Sequence, residues 1–416
     1  MSNRNFSVCT ITEKGEKLLR GGHVWVYADE VISIDAPVEN GAIVAVCSRK
    51  QKFLGLGFYN ENSKIRIRLI TRNANDIPDE AFWARRVNYA LAYRHTVMGE
   101  EDFKCCRLIF GEADTFPGLT VDRFENILVT ELLSMGMERI KDWVYAALVN
   151  TLRDTYGVEI TAIYERNDMA IRTLEGLPRY DGYYTHSKLN LKTDAHGLDG
   201  TTKITENGII YTVDYVNGQK TGFFLDQKYN RRAIQKISRG KRVLDCFTHT
   251  GSFGLNAAAG GALSVISVDI SADALATASV NAAQNGLDDR ITYMQADVFD
   301  YLKTLDKGRG AAPFDFIILD PPAFTKSRDT LKNAIKGYRE INAAAMRILP
   351  RGGYLATCSC SHFMTDTYFK QMLHNAAEDA GVSLRQIEAR QQAPDHPILW
   401  NVPETDYLGF YIFQIV

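Results

Sequence analysis

Short apolar runs alternate with stretches of helical periodicity through the C-terminal half of the chain. The runs are Arg242–Phe247, Val265–Asp269, Ile291–Met294, Phe314–Leu319 and Tyr354–Cys358, with a terminal one at Tyr407–Val416. Such alternation is typical of a parallel sheet whose two faces are both covered by helices. The C-terminal half is therefore predicted to have an α/β fold.

The N-terminal half has a different pattern. Turn residues separate short strands in the first part, where Lys64–Ile70 alternates basic and apolar residues with the period of a half-buried strand. This alternation would place Arg66 and Arg68 on the open face of a small β-barrel. Beyond it, a long helical pattern precedes a mixture of strands and helix. We predict a β-barrel at residues 1–75, an α+β domain at 76–185, and a β-hairpin with the α/β domain at 186–416.

Composition narrows the function classes. The net charge of −2 argues against a uniformly basic nucleic-acid binder, although residues 1–75 carry 11 Lys and Arg against 7 Asp and Glu. Because the sequence has neither a long apolar run nor a secretory leader, we expect no membrane association and a cytoplasmic protein. The cysteines and histidines show no paired or clustered metal-binding spacing, so no metal site is predicted.

The first strand of the α/β half leads into a turn that contains glycine, Phe247–Gly254, and then into a helix. Glycine lets a backbone approach a ligand closely, and a helix N-terminus presents unpaired N–H groups. Asp269 ends the next strand, 24 residues after Asp245, where doubly wound folds place an acid on ribose hydroxyls. The third strand leads to Asp297 and Val298, placed to meet an adenine ring. The fourth ends in Asp-Pro-Pro-Ala-Phe, which begins at Asp320.

Two alternative cofactor classes lack their sequence signatures. The chain has neither the GxGxxG of nicotinamide-binding folds nor the GxxxxGK[ST] of nucleoside triphosphate sites. A diphosphate needs that density of glycine, whereas a sulfonium amino acid does not. The predicted cofactor is therefore S-adenosylmethionine.

Four segments carry a resemblance that covers all 416 residues. They are Asn217–Arg231, Asp245–Gly254, Asp320–Phe324 and Thr357–Ser361. With them, the chain resembles the bacterial large-subunit ribosomal RNA cytosine-C5 methyltransferases of the RlmI type. The resemblance implies an N-terminal PUA domain, which is an RNA-binding module, a small α+β domain, and a Rossmann-like methyltransferase domain. It also implies 23S-type ribosomal RNA as partner, and a homodimer.

The same resemblance assigns residues to the cofactor site. Asp269 and Ser271 would meet the ribose, and Asp320 would lie next to the methyl donor. The implied cofactor-binding residues are Phe224, Gln227, Asp245, Phe247, Thr248, Gly251, Ser252, Asp269, Ser271, Asp297, Val298 and Asp320.

Methylation at carbon 5 of cytosine requires a nucleophile, because that carbon reacts only after a thiolate has added to carbon 6. In the resembling family the nucleophile lies in the Ser-Cys-Ser element, so Cys360 is favoured and Cys358 is the second choice. Asp320 is the candidate acid near ring nitrogen 3. Some cytosine-C5 RNA methyltransferases carry another cysteine just after the Pro-Pro pair; here that position is Ala323.

A base inside a duplex cannot reach a buried thiol, so the target must be single-stranded or flipped out. Basic residues could hold the surrounding phosphates, although each can also be read as an ordinary solvated charge. Phe324 is expected either to stack on the target base or to wall the pocket. The candidate RNA-binding residues are Arg66, Arg68, Phe324, Lys326 and Arg328.

Two other functions remain open at this point. The Asp-Pro-Pro-Ala-Phe segment also resembles the motif of methyltransferases that act on exocyclic amines, which need no thiol. A non-catalytic RNA-binding assembly factor would keep the fold without the chemistry. Cys358 and Cys360 argue against the first alternative, and the intact glycine turn beside Asp245 argues against the second.

Overall fold

The computed structural model describes residues 6–189, 191–192, 198–307, 313–325 and 327–416, and of Arg328 the backbone alone. The chain divides into two compact units. The first comprises Met1–Ile204, Val213–Leu225 and Pro394–Thr405, and the second comprises Thr205–Thr212, Asp226–Ala393 and Asp406–Val416. None of the helices in the described ranges combines the length and apolar character needed to cross a bilayer.

The first unit begins with a six-stranded sheet and one helix. The strands are β1 (Val8–Ile11), β2 (Trp25–Tyr27), β3 (Val31–Ile34), β4 (Ile43–Cys47), β5 (Phe53–Tyr59) and β6 (Ile65–Thr71), and helix α1 is Glu13–Arg20. Their order is β2-β6-β5-β4-β1-β3, in which only β1 and β4 pair in parallel. Apolar side chains from alternate positions form its core, including Val26, Val44 and Ile67.

A five-stranded sheet follows in the same unit. The strands are β7 (Cys105–Phe110), β8 (Leu119–Phe124), β9 (Ile127–Leu132), β10 (Ala162–Asn167) and β11 (Tyr180–Tyr183), and the helices are α2 (Glu80–Phe103), α3 (Met135–Tyr156) and α4 (Ile171–Leu174). The strands lie in the order β11-β10-β9-β8-β7. Asp79 caps α2 by accepting a hydrogen bond from the Phe82 amide at 2.9 Å. The helix extends beyond its predicted end near Met98, across an interruption at Gly99.

A β-hairpin leads toward the α/β part of the chain. It consists of β12 (Thr201–Glu206) and β13 (Ile209–Asp214). Asn207 and Gly208 both have positive φ, 53° and 78°, as a two-residue hairpin turn of the primed type requires. The Asn-Gly pair in the sequence predicts this turn.

The second unit contains a seven-stranded sheet with helices. Its strands are β14 (Arg242–Cys246), β15 (Ser264–Asp269), β16 (Ile291–Gln295), β17 (Phe316–Leu319), β18 (Tyr354–Ser359), β19 (Leu384–Arg390) and β20 (Gly409–Ile415). Its helices are α5 (Lys228–Ile237), α6 (Ser252–Ala259), α7 (Ala272–Gln284), α8 (Val298–Lys307), α9 (Leu331–Ile348) and α10 (Asp366–Ala380). The predicted strands agree with these bounds to within two residues.

The strand order of this sheet is β16-β15-β14-β17-β18-β20-β19. The first five strands are parallel, and β20 is antiparallel to both of its neighbours. The sequence alternation predicted a parallel sheet and did not reveal β19, because this edge strand is polar and largely exposed. The α/β fold class is confirmed. Since the carboxyl ends of parallel strands meet at one edge, Asp269, the last residue of β15, and Asp320, which follows β17, both lie at that edge.

Candidate active site

The turn after β14 has an unusual backbone. Phe247 and His249 adopt left-handed φ values of 61° and 50°, and Gly251 follows at 85°. Left-handed non-glycine residues cost free energy and persist only where the surrounding structure holds them, often at ligand sites. A Cβ atom at Gly251 would lie 2.9 Å from the Ala278 Cβ atom, so glycine is also required for space.

Asp245 lies buried at the end of β14. Its Oδ2 atom accepts hydrogen bonds from the Thr248 hydroxyl and, at 2.9 Å, from the Gly254 amide. Its Oδ1 atom has no hydrogen-bond partner among the described residues. Burial, the largest cause, raises the pKa of this carboxyl to about 7. The site therefore holds an acceptor that a cationic ligand would satisfy.

The predicted ribose and adenine residues lie at the ends of the next two strands. Asp269 is oriented by two backbone amides, from His249 at 2.8 Å and from Ser271 at 2.9 Å. Ser271 also caps α7 through the Ala274 amide. Asp297 accepts a hydrogen bond from the Asp300 amide at the start of α8, and Val298 beside it is buried. A carboxylate oxygen that accepts one hydrogen bond keeps further acceptor capacity for a hydroxyl.

These residues fit S-adenosylmethionine, which carries an ammonium and a sulfonium group. A second buried carboxylate oxygen without a partner in the described part of the chain, Asp226 Oδ1, lies in the same unit as Asp245. Buried carboxylates are stabilised when a positive charge comes close. Gln227, Phe247, Thr248 and Ser252 also belong to this unit, whereas Phe224 belongs to the first. The individual contacts of these residues with the cofactor remain predictions.

Substituting Gly251 by alanine is expected to weaken binding of S-adenosylmethionine at least about tenfold, because the new methyl group must displace α7 or the turn. Gly286→Ala is the matched control, since Gly286 has a similar φ of 62° and nothing within 4 Å of the added Cβ. Isothermal titration calorimetry with the cofactor measures both variants. Equal dissociation constants for the two would contradict a role for this turn.

Asp320, Cys358 and Gln227 meet at the carboxyl ends of β17 and β18. The Cys358 sulfur lies 2.9 Å from Asp320 Oδ1 and 3.3 Å from the Leu319 carbonyl oxygen, and the shorter contact makes Asp320 the main acceptor of its single hydrogen. Gln227 Nε2 donates to the same Asp320 oxygen at 3.1 Å and lies 3.6 Å from the Cys358 sulfur. Burial raises the pKa of Asp320 to about 6. Burial, followed by the Asp320 charge, raises the pKa of Cys358 well above its usual range, so this thiol stays protonated.

A chain of hydrogen bonds orients Gln227. Asn230 Nδ2 donates to Gln227 Oε1 at 2.6 Å, and Arg390 Nε donates to Asn230 Oδ1 at 3.1 Å. Because the Gln227 oxygen is engaged by Asn230, its NH2 group faces Asp320. Asn230 and Arg390 were not singled out from the sequence. Asn230 lies inside the Asn217–Arg231 segment, but only the fold shows its partner.

Cys360 lies just beyond the end of β18 and is partly exposed, unlike the fully buried Cys358. Its sulfur lies 3.7 Å from the Pro321 carbonyl oxygen. The flanking serines are anchored, Ser359 to the Tyr338 hydroxyl at 3.2 Å and Ser361 to the Thr325 carbonyl at 2.9 Å. These bonds anchor the residues on both sides of Cys360 beside the Asp-Pro-Pro loop.

The candidate RNA-binding residues have different surroundings. Arg68 is only 12% exposed and pairs with Glu112 at 3.0 Å and Glu175 at 3.1 Å, so the open face predicted for it is wrong. Arg66 donates to the backbone carbonyls of Asn60 and Glu61. The centre of the Phe324 ring lies 4.5 Å from the centre of the Tyr338 ring, and Phe324 packs against the hydrophobic core. Lys326 and the side chain of Arg328 lie outside the described residues, and RNA contact by all five remains a prediction.

Two family models match the chain. One described as "S-adenosylmethionine-dependent methyltransferase" matches residues 190–406, and one described as "PUA-like domain" matches residues 9–72. The first spans more than half of the chain. It confirms S-adenosylmethionine as the cofactor.

Relatives match almost the full length. A Shewanella amazonensis protein named "Ribosomal RNA large subunit methyltransferase I" is 40% identical over 403 residues, which are 96% of each chain. An Aliivibrio fischeri protein of the same name is 38% identical over 405 residues, 96% of this chain and 97% of its own. A Streptococcus mutans protein assigned to the SAM-dependent methyltransferases has a solved structure with a TM-score of 0.78 at 22% identity, covering 98% of this chain and 99% of its own. That likeness shows a shared fold.

Proposed function

Because the chain belongs to the ribosomal RNA large subunit methyltransferase I family of S-adenosylmethionine-dependent methyltransferases, we propose that it methylates carbon 5 of a cytosine in large-subunit ribosomal RNA. The names of the relatives support large-subunit ribosomal RNA as the substrate. The observation that carries the choice of carbon 5 is the pair of cysteines at the end of β18, where Cys358 is hydrogen-bonded to Asp320 and Cys360 lies beside the Pro321 carbonyl. Transfer to an exocyclic amine needs no thiol.

Cys360 is the proposed nucleophile. A nucleophilic thiol must be reachable by substrate and must ionise. Cys360 is partly exposed, whereas Cys358 is fully buried and donates a hydrogen bond to Asp320, whose charge opposes ionisation of the thiol. Cys358 therefore serves as a donor that holds Asp320 in place.

The proposed reaction consists of addition to the ring, methyl transfer and elimination. The Cys360 thiolate forms a bond to carbon 6 of the cytosine, and Asp320 delivers a proton to ring nitrogen 3, so carbon 5 becomes nucleophilic. Bound S-adenosylmethionine supplies the electrophilic methyl group that carbon 5 takes up. A base then removes the proton from carbon 5, and the electron pair of that C–H bond expels the Cys360 thiolate. Nitrogen 3 returns its proton to Asp320, which leaves 5-methylcytosine and S-adenosylhomocysteine. Asp320 suits this role because its raised pKa, about 6, keeps a protonated fraction available near neutral pH.

The substrate is proposed to present an unpaired or flipped cytosine, since a thiol beside the Asp-Pro-Pro loop cannot reach a stacked base. The PUA-like module at residues 9–72 is proposed to hold the flanking RNA. Lys326 and Arg328, which follow the Asp-Pro-Pro loop in sequence, are proposed to meet phosphates there.

Transfer of tritium from labelled S-adenosylmethionine to deproteinised ribosomal RNA, followed by nucleoside analysis, tests this function. The expected product is 5-methylcytidine. Label on an exocyclic nitrogen would instead establish the amine methyltransferase. Cofactor binding by calorimetry without any transfer to RNA or ribosomal particles would favour an assembly factor that kept the fold.

A further inference from the structure

A cleft of about 480 Å³ opens in the first unit beside the N-terminal part of α2. Its walls include Asp76, Phe82, Arg85, Arg86, Tyr89 and Thr115. A volume of this size suits a small ligand or a single residue of a polymer. None of its lining residues belongs to the methyl-transfer site described above.

Two arginines bring positive charge into the cleft. Arg86 is held by the Ile70 carbonyl at 2.6 Å and by Thr115, and its guanidinium carbon lies 4.4 Å from the centre of the Phe82 ring. Arg85, next to it, is exposed. Asp76 is the carboxylate in the cleft whose charge acts on Arg86. Burial lowers the pKa of Arg86 to about 10, so it remains cationic at neutral pH.

The carboxylates nearby leave an excess of positive charge. Asp114 is neutralised by Arg94, whose Nη2 atom lies 2.6 Å from Asp114 Oδ2. Asp76 accepts hydrogen bonds from the Thr71 hydroxyl at 2.5 Å and from the Asn73 amide at 3.2 Å. One unpaired carboxylate therefore faces two arginines, which favours an anionic ligand.

An aromatic ring completes the cleft. Tyr89 is 66% exposed, although burial of an aromatic ring of this size is energetically favourable. Tyr89 lies four residues after Arg85 and three after Arg86 on α2, so all three side chains share one face of the helix. Phe82 is buried beneath them.

We propose that this cleft binds one nucleotide of single-stranded RNA, with its phosphate at Arg85 and Arg86 and its base stacked on Tyr89. A net positive charge beside an exposed aromatic ring is the combination that binds single-stranded nucleic acid. The carboxylates of an acidic peptide would pair with the arginines, but they offer no aromatic ring to stack on Tyr89. The proposal rests on the proposed function for the presence of an RNA substrate.

Fluorescence anisotropy of the full-length protein with a labelled single-stranded RNA of mixed sequence tests the cleft. Tyr89→Ala and Arg85→Gln are each expected to weaken RNA binding about tenfold. Arg85→Gln should also lower the slope of log affinity against log salt by about 0.7. Arg86 is left intact because its bonds to Ile70 and Thr115 hold the local fold.

Two substitutions serve as matched controls. Tyr89→Phe keeps a ring that stacks, so its RNA affinity should equal that of the wild type. Arg153→Gln removes one charge from α3 in the same unit, where Arg153 is already paired with Asp154, and should also leave affinity unchanged. In methyl-transfer assays the cleft variants should raise KM for RNA without lowering kcat.

Wild-type RNA affinity in both Tyr89→Ala and Arg85→Gln would overturn the proposal. So would a loss of poly-glutamate binding with unchanged RNA affinity, which would assign the cleft to an acidic protein. Failure of the proposed function is distinguishable, because it appears as absent methyl transfer by the wild type. Anisotropy reports on the cleft in either case.

Discussion

Cys360→Ser is expected to lower the rate of methyl transfer by about 10⁴-fold, because a serine hydroxyl does not ionise and cannot add to carbon 6 as the thiolate does. The side chain is partly exposed, so the variant should fold and bind S-adenosylmethionine like the wild type. Single-turnover transfer of the labelled methyl group to ribosomal RNA measures the rate. RNA that contains 5-fluorocytidine should trap a covalent protein–RNA adduct with the wild type and none with Cys360→Ser.

The same substitution at Cys358 is the matched control. A serine hydroxyl there can still donate its hydrogen to Asp320, so activity should remain within about tenfold of the wild type. If Cys358→Ser abolishes transfer and Cys360→Ser does not, Cys358 is the nucleophile. If both variants remain active, the thiolate mechanism is wrong and transfer to an amine takes its place.

Asp320→Asn is expected to reduce methyl transfer by about 10²- to 10⁴-fold. The amide can donate a hydrogen bond but cannot deliver a proton to ring nitrogen 3, and general acid catalysis contributes about this much. Asp315→Asn applies the same chemical change at the opposite end of β17 and should leave the rate unchanged. Full activity in Asp320→Asn would remove this carboxyl from the mechanism.

The contributions of the two carboxyls to thermal stability should also depend differently on pH. Folding raises the pKa of Asp320 from 3.8 to about 6, so its stabilising contribution is present at low pH and is lost as the pH rises through about 6. Asp320→Asn should therefore gain stability relative to the wild type between pH 5 and pH 7.5. Arg242 lowers the pKa of Asp315 to about 2, so Asp315→Asn should be less stable than the wild type throughout this range.

Local sequence patterns determined much of this protein. The alternation of apolar runs identified six strands of the seven-stranded sheet, and the glycine turn after Asp245 marked the cofactor region. The apolar runs and the glycine turn are both features of short segments. Each depends on residues that are close together in the sequence, so each can be recognised without the fold. The four motif segments identified the family, which the full-length relatives confirm.

Tertiary structure decided which groups meet. Gln227 contacts Asp320 across 93 residues of sequence and Cys358 across 131, and no local pattern records such a pairing. Arg68, expected to be a surface cation, instead forms largely buried ion pairs with Glu112 and Glu175. The different environments of Cys358 and Cys360 likewise depend on where β18 ends beside the Asp-Pro-Pro loop. Burial and charge pairing are properties of the folded chain, because both depend on residues that are distant in sequence and become neighbours only when the sheets assemble.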